Sequence, residues 1–146
     1  MRTNDYIVVL PMATTEPDTS FYYISEDLEK VCSNKIVNFN FTKRDVNKKA
    51  WLDSTEHAKL IFITGGDQTR FMNVVLNTPI HAAIQKAYND GATVAGTSAG
   101  AAVMRTAPPR IARHVSAFAS FIVSPNISSL LWRTCLRAPS SGALKA

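Results

Sequence analysis

The chain is 146 residues long, 46% apolar and 18% charged, with a formal net charge of +5. That length and balance fit a single folded domain with a real core. They exclude a bilayer-spanning helix, because no run approaches the ~18 consecutive apolar residues such a helix needs.

The excess of positive charge is not spread evenly. Residues 1–104 hold ten Lys and Arg against eleven Asp and Glu, while residues 105–146 hold six bases and no carboxylate side chain. The basic balance therefore belongs to the tail and not to a patterned face, which argues against nucleic-acid binding. Cys32 and Cys135 lie far apart and form no metal-binding spacing, so a reducing, cytoplasmic setting without metal is expected.

In chain order, YIVVLPM (6–12) is an apolar run of strand length, better read as a buried strand than as a secretion signal. TTEPDTS follows as a polar loop. Phe21, Ile24, Leu28 and Val31 fall at helical spacing, with Ser20 as the expected N-cap. KIVNFNF (35–41) alternates with a strand period. RDVNKKAWLDSTEHA predicts a polar helix, and KLIFIT (59–64) a buried strand. Two helices come next. Asp67 is positioned to cap the first, in which Phe71, Val74 and Val75 form an apolar stripe. Thr78 and Pro79 open the second, and Gly91 ends it. ATVAGT (92–97) is the last strand, and AGAAVM begins a further helix. This alternation predicts an α/β fold, a mostly parallel sheet with helices on both faces. Functional sites of such sheets form at the carboxyl ends of strands.

Both glycine-rich junctions, ITGGDQ and AGTSAG, fall at such ends. G-x-S-x-G between a strand and a helix is the nucleophile-elbow pattern, with Ser98 on a strained turn and Gly96 and Gly100 relieving crowding around it. The Ala99 N–H then lies at a helix N-terminus, where it can donate to an oxyanion. A plain helix-capping serine gives the same five letters, so the strand before and the helix after are what favour chemistry. The Gly65–Gly66 loop is suited to supply a second N–H. Asp67 is read mainly as a helix cap, while Gln68 and Arg70 project from the first turn, where substrate carboxylates or amides could be met.

KLIFITGGDQTRF and LNTPIHAAIQKAYNDGATVAGTSAGAAVM resemble the cyanophycinase family of serine peptidases, relatives of the aspartyl dipeptidases. VVLPMATTEPD is similar to that family's second-strand region, and the resemblance covers about residues 5–104. It implies a glutamine-amidotransferase-like three-layer sandwich, here incomplete, with no cofactor. It also implies hydrolysis of aspartyl peptide bonds, of the β-aspartyl-arginine type, in a peptide or cyanophycin-like substrate. Ser98 would be the nucleophile, Gly66 and Ala99 the oxyanion hole, and Gln68 a substrate contact. A homodimer is possible, and neither membrane nor nucleic acid is expected as a partner.

Two departures shape the expectation for this chain. The family opens with a further strand and glycine-rich turn, and it carries an Asp-Gln-His stretch after the nucleophile; the sequence has neither. A serine hydroxyl needs a base to remove its proton. His81 reads as a surface residue, His57 falls at the wrong end of a strand, and His114 lies in the tail. No carboxylate side chain follows Asp90, so the order Ser…Asp/Glu…His cannot be built. Residues 1–104 are thus expected to form a hydrolytic-type core, and 105–146 an atypical basic tail with poor order. The expected activity is weak or absent. The alternatives are a non-catalytic α/β binding module that keeps the elbow as scaffold, or a truncated product without a stable fold.

Overall fold

A computed structural model of the chain describes residues 1–100 and Val103. The elements run β1 (Tyr6–Leu10), α1 (Pro17–Glu29), β2 (Lys35–Asn38), α2 (Lys49–Glu56), β3 (Leu60–Ile63), α3 (Gln68–Val75), α4 (Pro79–Asn89) and β4 (Thr93–Gly96). Ala99, Gly100 and Val103 belong to a further helix. The tail from residue 104 on, with His114 and Cys135, lies outside the described residues.

All three strand pairings are parallel, in the order β2-β1-β3-β4. Each pairing therefore needs a crossover, and the helices supply it. The chain leaves β1 for β2 on one side, then returns past β1 to β3 on the other. Right-handed crossovers in opposite directions must put their helices on opposite faces of the sheet, and the core divides accordingly. Ile7, Val9, Leu60, Phe62 and Ala95 pack with Leu28 of α1 on one face. Val8, Leu10, Ile61, Ile63 and Val94 pack with Phe71, Val75, Ile80 and Ala87 of α3 and α4 on the other. Strands covered on both faces must be apolar at every position, which is why YIVVL and LIFI read as continuous runs and not as alternations. The expected α/β class, mostly parallel with helices on both faces, is what the chain forms.

Several boundaries differ from expectation. The first helix starts at Pro17 and not at Phe21, and Glu16, not Ser20, occupies its N-cap position. Proline's fixed φ suits the first helical position, so the loop TTEPD contributes a helical turn. β2 stops at Asn38, although its alternation continues to Phe41. The Phe41 N–H donates to the Phe39 carbonyl (3.1 Å), a tight turn that ends the pairing. Phe39 and Phe41 then pack on Trp51 of α2. The helix containing Trp51 is shorter than the sequence pattern, covering only Lys49–Glu56. Gly91 ends α4 as expected: the Gly91 N–H donates to the Tyr88 carbonyl and the Ala92 N–H to the Ala87 carbonyl, the paired bonds of a Schellman motif.

Candidate active site at the carboxyl ends of β3 and β4

The ladders of β3 with β4 and with β1 continue into the turns that follow. The Thr97 N–H donates to the Ile63 carbonyl (3.2 Å), and the Thr64 N–H to the Leu10 carbonyl (3.2 Å). The chain beyond β4 then reverses within four residues, closed by the Gly100 N–H donating to the Thr97 carbonyl (2.9 Å). Ser98, second in that turn, has φ 51°. This is the left-handed region, where an L-residue with a Cβ costs ~1–2 kcal/mol. The serine is exposed, while Ala99 and Gly100 beside it are buried. The backbone thus lifts one side chain out of an otherwise packed corner.

The glycines explain how the corner closes. A Cβ on Gly96 would lie 2.7 Å from the Ile63 carbonyl oxygen and 2.9 Å from the Gly100 carbonyl carbon. One on Gly100 would lie 2.3 Å from the same Ile63 oxygen. Both positions press backbone against backbone, and neither can carry a side chain. These two contacts are the crowding that the G-x-S-x-G spacing predicts.

The second glycine corner abuts the first. A Cβ on Gly65 would meet the Ser98 Cβ at 3.4 Å and the Thr97 Oγ1 at 3.5 Å. Gly66 has φ 141° and faces the loop after β1, where a Cβ would come within 2.3 Å of the Ala13 carbonyl oxygen. That oxygen accepts the Asp67 N–H (2.7 Å). The peptide between the two glycines is therefore held from one side by Ala13 and from the other by the Ser98 turn. Among the described residues, no hydrogen bond takes up the N–H of Gly66 or of Ala99. Neither Ala13 nor Thr97 stood out in the sequence. Their parts depend on contacts between distant loops, and no local pattern signals those.

Asp67 caps α3 as expected, its Oδ1 accepting from the Thr69 N–H (2.7 Å) and the Arg70 N–H (3.2 Å). Gln68 is half-buried in the first turn beside it, and Arg70 is exposed. The described histidines belong to α2 and α4. His57 ends α2 next to the amino end of β3, its Nδ1 2.7 Å from the Asp53 carbonyl oxygen. His81 is half-buried in the first turn of α4. Among the described residues, no hydrogen bond joins either ring to Ser98. No group of three or more His, Cys, Asp or Glu among them could hold a metal ion, and no helix among them is long and apolar enough to cross a membrane.

Comparison with known proteins places this corner in a family. The model of peptidase family S51 matches residues 2–115. The chain belongs to peptidase family S51. It is 34% identical over 101 residues to the cyanophycinases of a Nostoc species and of Trichormus variabilis, covering 68% of this chain and 34% of each relative. It is 32% identical over 126 residues to the cyanophycinase of Geminocystis herdmanii, covering 85% of this chain and 44% of that one. The S51 chain thus spans about a third to under a half of the length of these relatives. A crystal structure of a peptidase from an acI-B1 Actinobacterium superposes with a TM-score of 0.61 at 21% identity, over 69% of this chain and 43% of that one. At that identity the superposition supports the fold alone.

Proposed function

We propose that the chain carries the nucleophile half of a serine-type peptidase that hydrolyses aspartyl peptide bonds of the β-aspartyl-arginine type. Ser98 is the nucleophile. Its hydroxyl attacks the scissile carbonyl, and the N–H groups of Gly66 and Ala99 receive the negative oxygen that results. Gln68, from the first turn of α3, contacts the substrate. The observation that carries this reading is the exposed Ser98 at φ 51°, seated where Gly96 and Gly100 both press on the Ile63 carbonyl. A serine that merely caps a helix sits in extended backbone and needs no such strain. The substrate type rests on the cyanophycinase relatives and on nothing in the corner itself.

The same corner also limits the rate. A base must take the Ser98 proton, and among the described residues neither histidine is joined to it. Removing a triad member costs on the order of 10⁴–10⁶ in rate, leaving the contribution of the oxyanion hole. Turnover by the 146-residue chain is accordingly slow or absent. An active-site-directed fluorophosphonate tests the assignment without requiring turnover. Slow covalent labelling of the folded chain, abolished in Ser98→Ala, is the expected result. A cooperatively melting chain that takes no label, or labels equally in Ser98→Ala, replaces this reading with that of a non-catalytic binding module.

A further inference from the structure

Two polar residues are fully buried among those described, Thr55 and Thr64, and their hydroxyls are used differently. The Thr55 hydroxyl donates to the Trp51 carbonyl at 2.8 Å, an ordinary bond inside α2. The Thr64 hydroxyl donates to the carbonyl of the next residue, Gly65, at 3.4 Å, and makes no other hydrogen bond among the described residues. Burying a hydroxyl is unfavourable unless a good bond offsets it, and a bond this long offsets little. Valine has the same shape without the polar atom. Thr64 directly follows β3, whose residues LIFI are all apolar and buried. Packing therefore does not explain the hydroxyl, and residues that break a local rule without a structural gain concentrate at functional sites.

Thr64 itself is firmly held. Its N–H donates to the Leu10 carbonyl (3.2 Å), and its own carbonyl oxygen lies 3.0 Å from where a Cβ on Gly100 would stand. The hydroxyl thus meets the Gly65 carbonyl from a fixed place on the buried side. None of the described peptide bonds is cis, and a trans peptide points its C=O and N–H in opposite directions. Drawing the Gly65 carbonyl inward turns the Gly66 N–H away from the interior, where Ser98 is exposed. The following peptide is pinned separately, by the Asp67 N–H on the Ala13 carbonyl (2.7 Å).

We propose that Thr64 is a positioning residue, whose hydroxyl sets the Gly65–Gly66 peptide so that its N–H faces the oxyanion. The proposal rests on the peptidase reading above and extends it to a residue that never touches the substrate. The long bond belongs to the resting site. When a negative oxygen settles on the Gly66 N–H, the peptide polarises and charge moves onto the Gly65 carbonyl oxygen, which the hydroxyl then holds more tightly. A contact that strengthens as the transition state forms raises the rate of the chemical step and not merely the binding of substrate.

The full chain is tested as Thr64→Val and Thr64→Ser. Thermal melts check folding, and Thr64→Ala serves if the valine variant does not fold. The fluorophosphonate puts its phosphoryl oxygen where the oxyanion forms, so its labelling rate reads the hole. Thr64→Val labels Ser98 about tenfold more slowly, the loss of one neutral hydrogen bond, while melting at or above the parent. Thr64→Ser keeps the hydroxyl and labels within about twofold of the parent. Residual dipolar couplings of the Gly66 N–H, measured in isotope-enriched chain, read the direction of the peptide without the reagent. That coupling changes in Thr64→Val and is restored in Thr64→Ser, while the Asp67 N–H, held by Ala13, keeps its own in both. Labelling of Thr64→Val at the parent rate, a serine variant as slow as the valine one, or an unmoved Gly66 coupling each overturns the proposal. If the parent takes no label, the couplings alone decide it, and the peptidase reading then fails without this one.

Discussion

Two residues other than glycine have positive φ among those described: Asn77 at 59° and Ser98 at 51°. Their φ angles differ by less than ten degrees, yet their settings have little in common. Asn77 is third in a turn closed by the Thr78 N–H donating to the Val75 carbonyl (3.2 Å), with Leu76 before it at φ −63° and ψ 131°. That is a type II turn, in which the third position requires positive φ and asparagine is a usual occupant. It joins two helices on an exposed corner. Ser98 is second in its turn, where glycine is the usual choice; Ala99 and Gly100 after it are buried, and the corner is wedged shut at Gly96 and Gly100. A positive φ alone therefore marks nothing. What separates the two is whether the surroundings compel a residue that would be easier as glycine.

The largest expected effect tests that compulsion. Gly100→Ala drives a Cβ to 2.3 Å from the Ile63 oxygen, a backbone atom of a central strand that cannot swing aside. A loss of at least ~3 kcal/mol follows, about 10 °C in thermal unfolding. Gly91→Ala is the matched control, with φ 94° but nothing within 4 Å of the added carbon. It carries only the conformational cost of about 1 kcal/mol. If the two variants melt together, the packing around Ser98 is not what fixes its turn, and the comparison with Asn77 loses its basis.

These two glycines also mark how far the sequence could be read. Gly91 was legible as a helix end because the signal is local: an apolar face stops and a glycine follows. G-x-S-x-G was legible for the same reason, since a strand, a tight turn and a helix occupy consecutive residues. The parallel sheet and its two-faced burial followed from apolar runs too continuous for any half-exposed strand. The ends of elements were less accessible. Glu16–Pro17 opened a helix where a loop was expected, and Phe41 left the strand pattern to reach Trp51, a preference that appears only once α2 is in place. Least accessible was the grip of Ala13 on Gly66. It joins residues more than fifty positions apart through a backbone oxygen, which every residue possesses and no sequence distinguishes.

Ser98→Gly comes next in size and moves two measurements in opposite directions. Removing the Cβ relieves the left-handed strain, so unfolding shifts upward by about 1 kcal/mol, a few degrees. Fluorophosphonate labelling disappears at the same time, because the hydroxyl is gone. Stability gained where chemistry is lost is the expected signature of a residue retained for function and not for folding. A Ser98→Gly chain that melts lower than the parent would mean that the side chain is wanted by the fold, which favours the scaffold reading.

Asn77→Gly should move least. Asparagine already tolerates this conformation, and the third position of a type II turn accepts it readily. The expected gain is about 0.3 kcal/mol, near the limit of a thermal melt, with labelling at Ser98 unchanged. The two glycine substitutions are separated in the fold and share no partner among the described residues, so their effects should add. The double variant then isolates what matters. If its stability exceeds that of Asn77→Gly by the full Ser98→Gly increment, the strain at position 98 is local to its own turn and belongs to the placement of one hydroxyl. If the increment shrinks, part of it was a general relaxation of the helical layer, and the case for a strained nucleophile weakens by that amount.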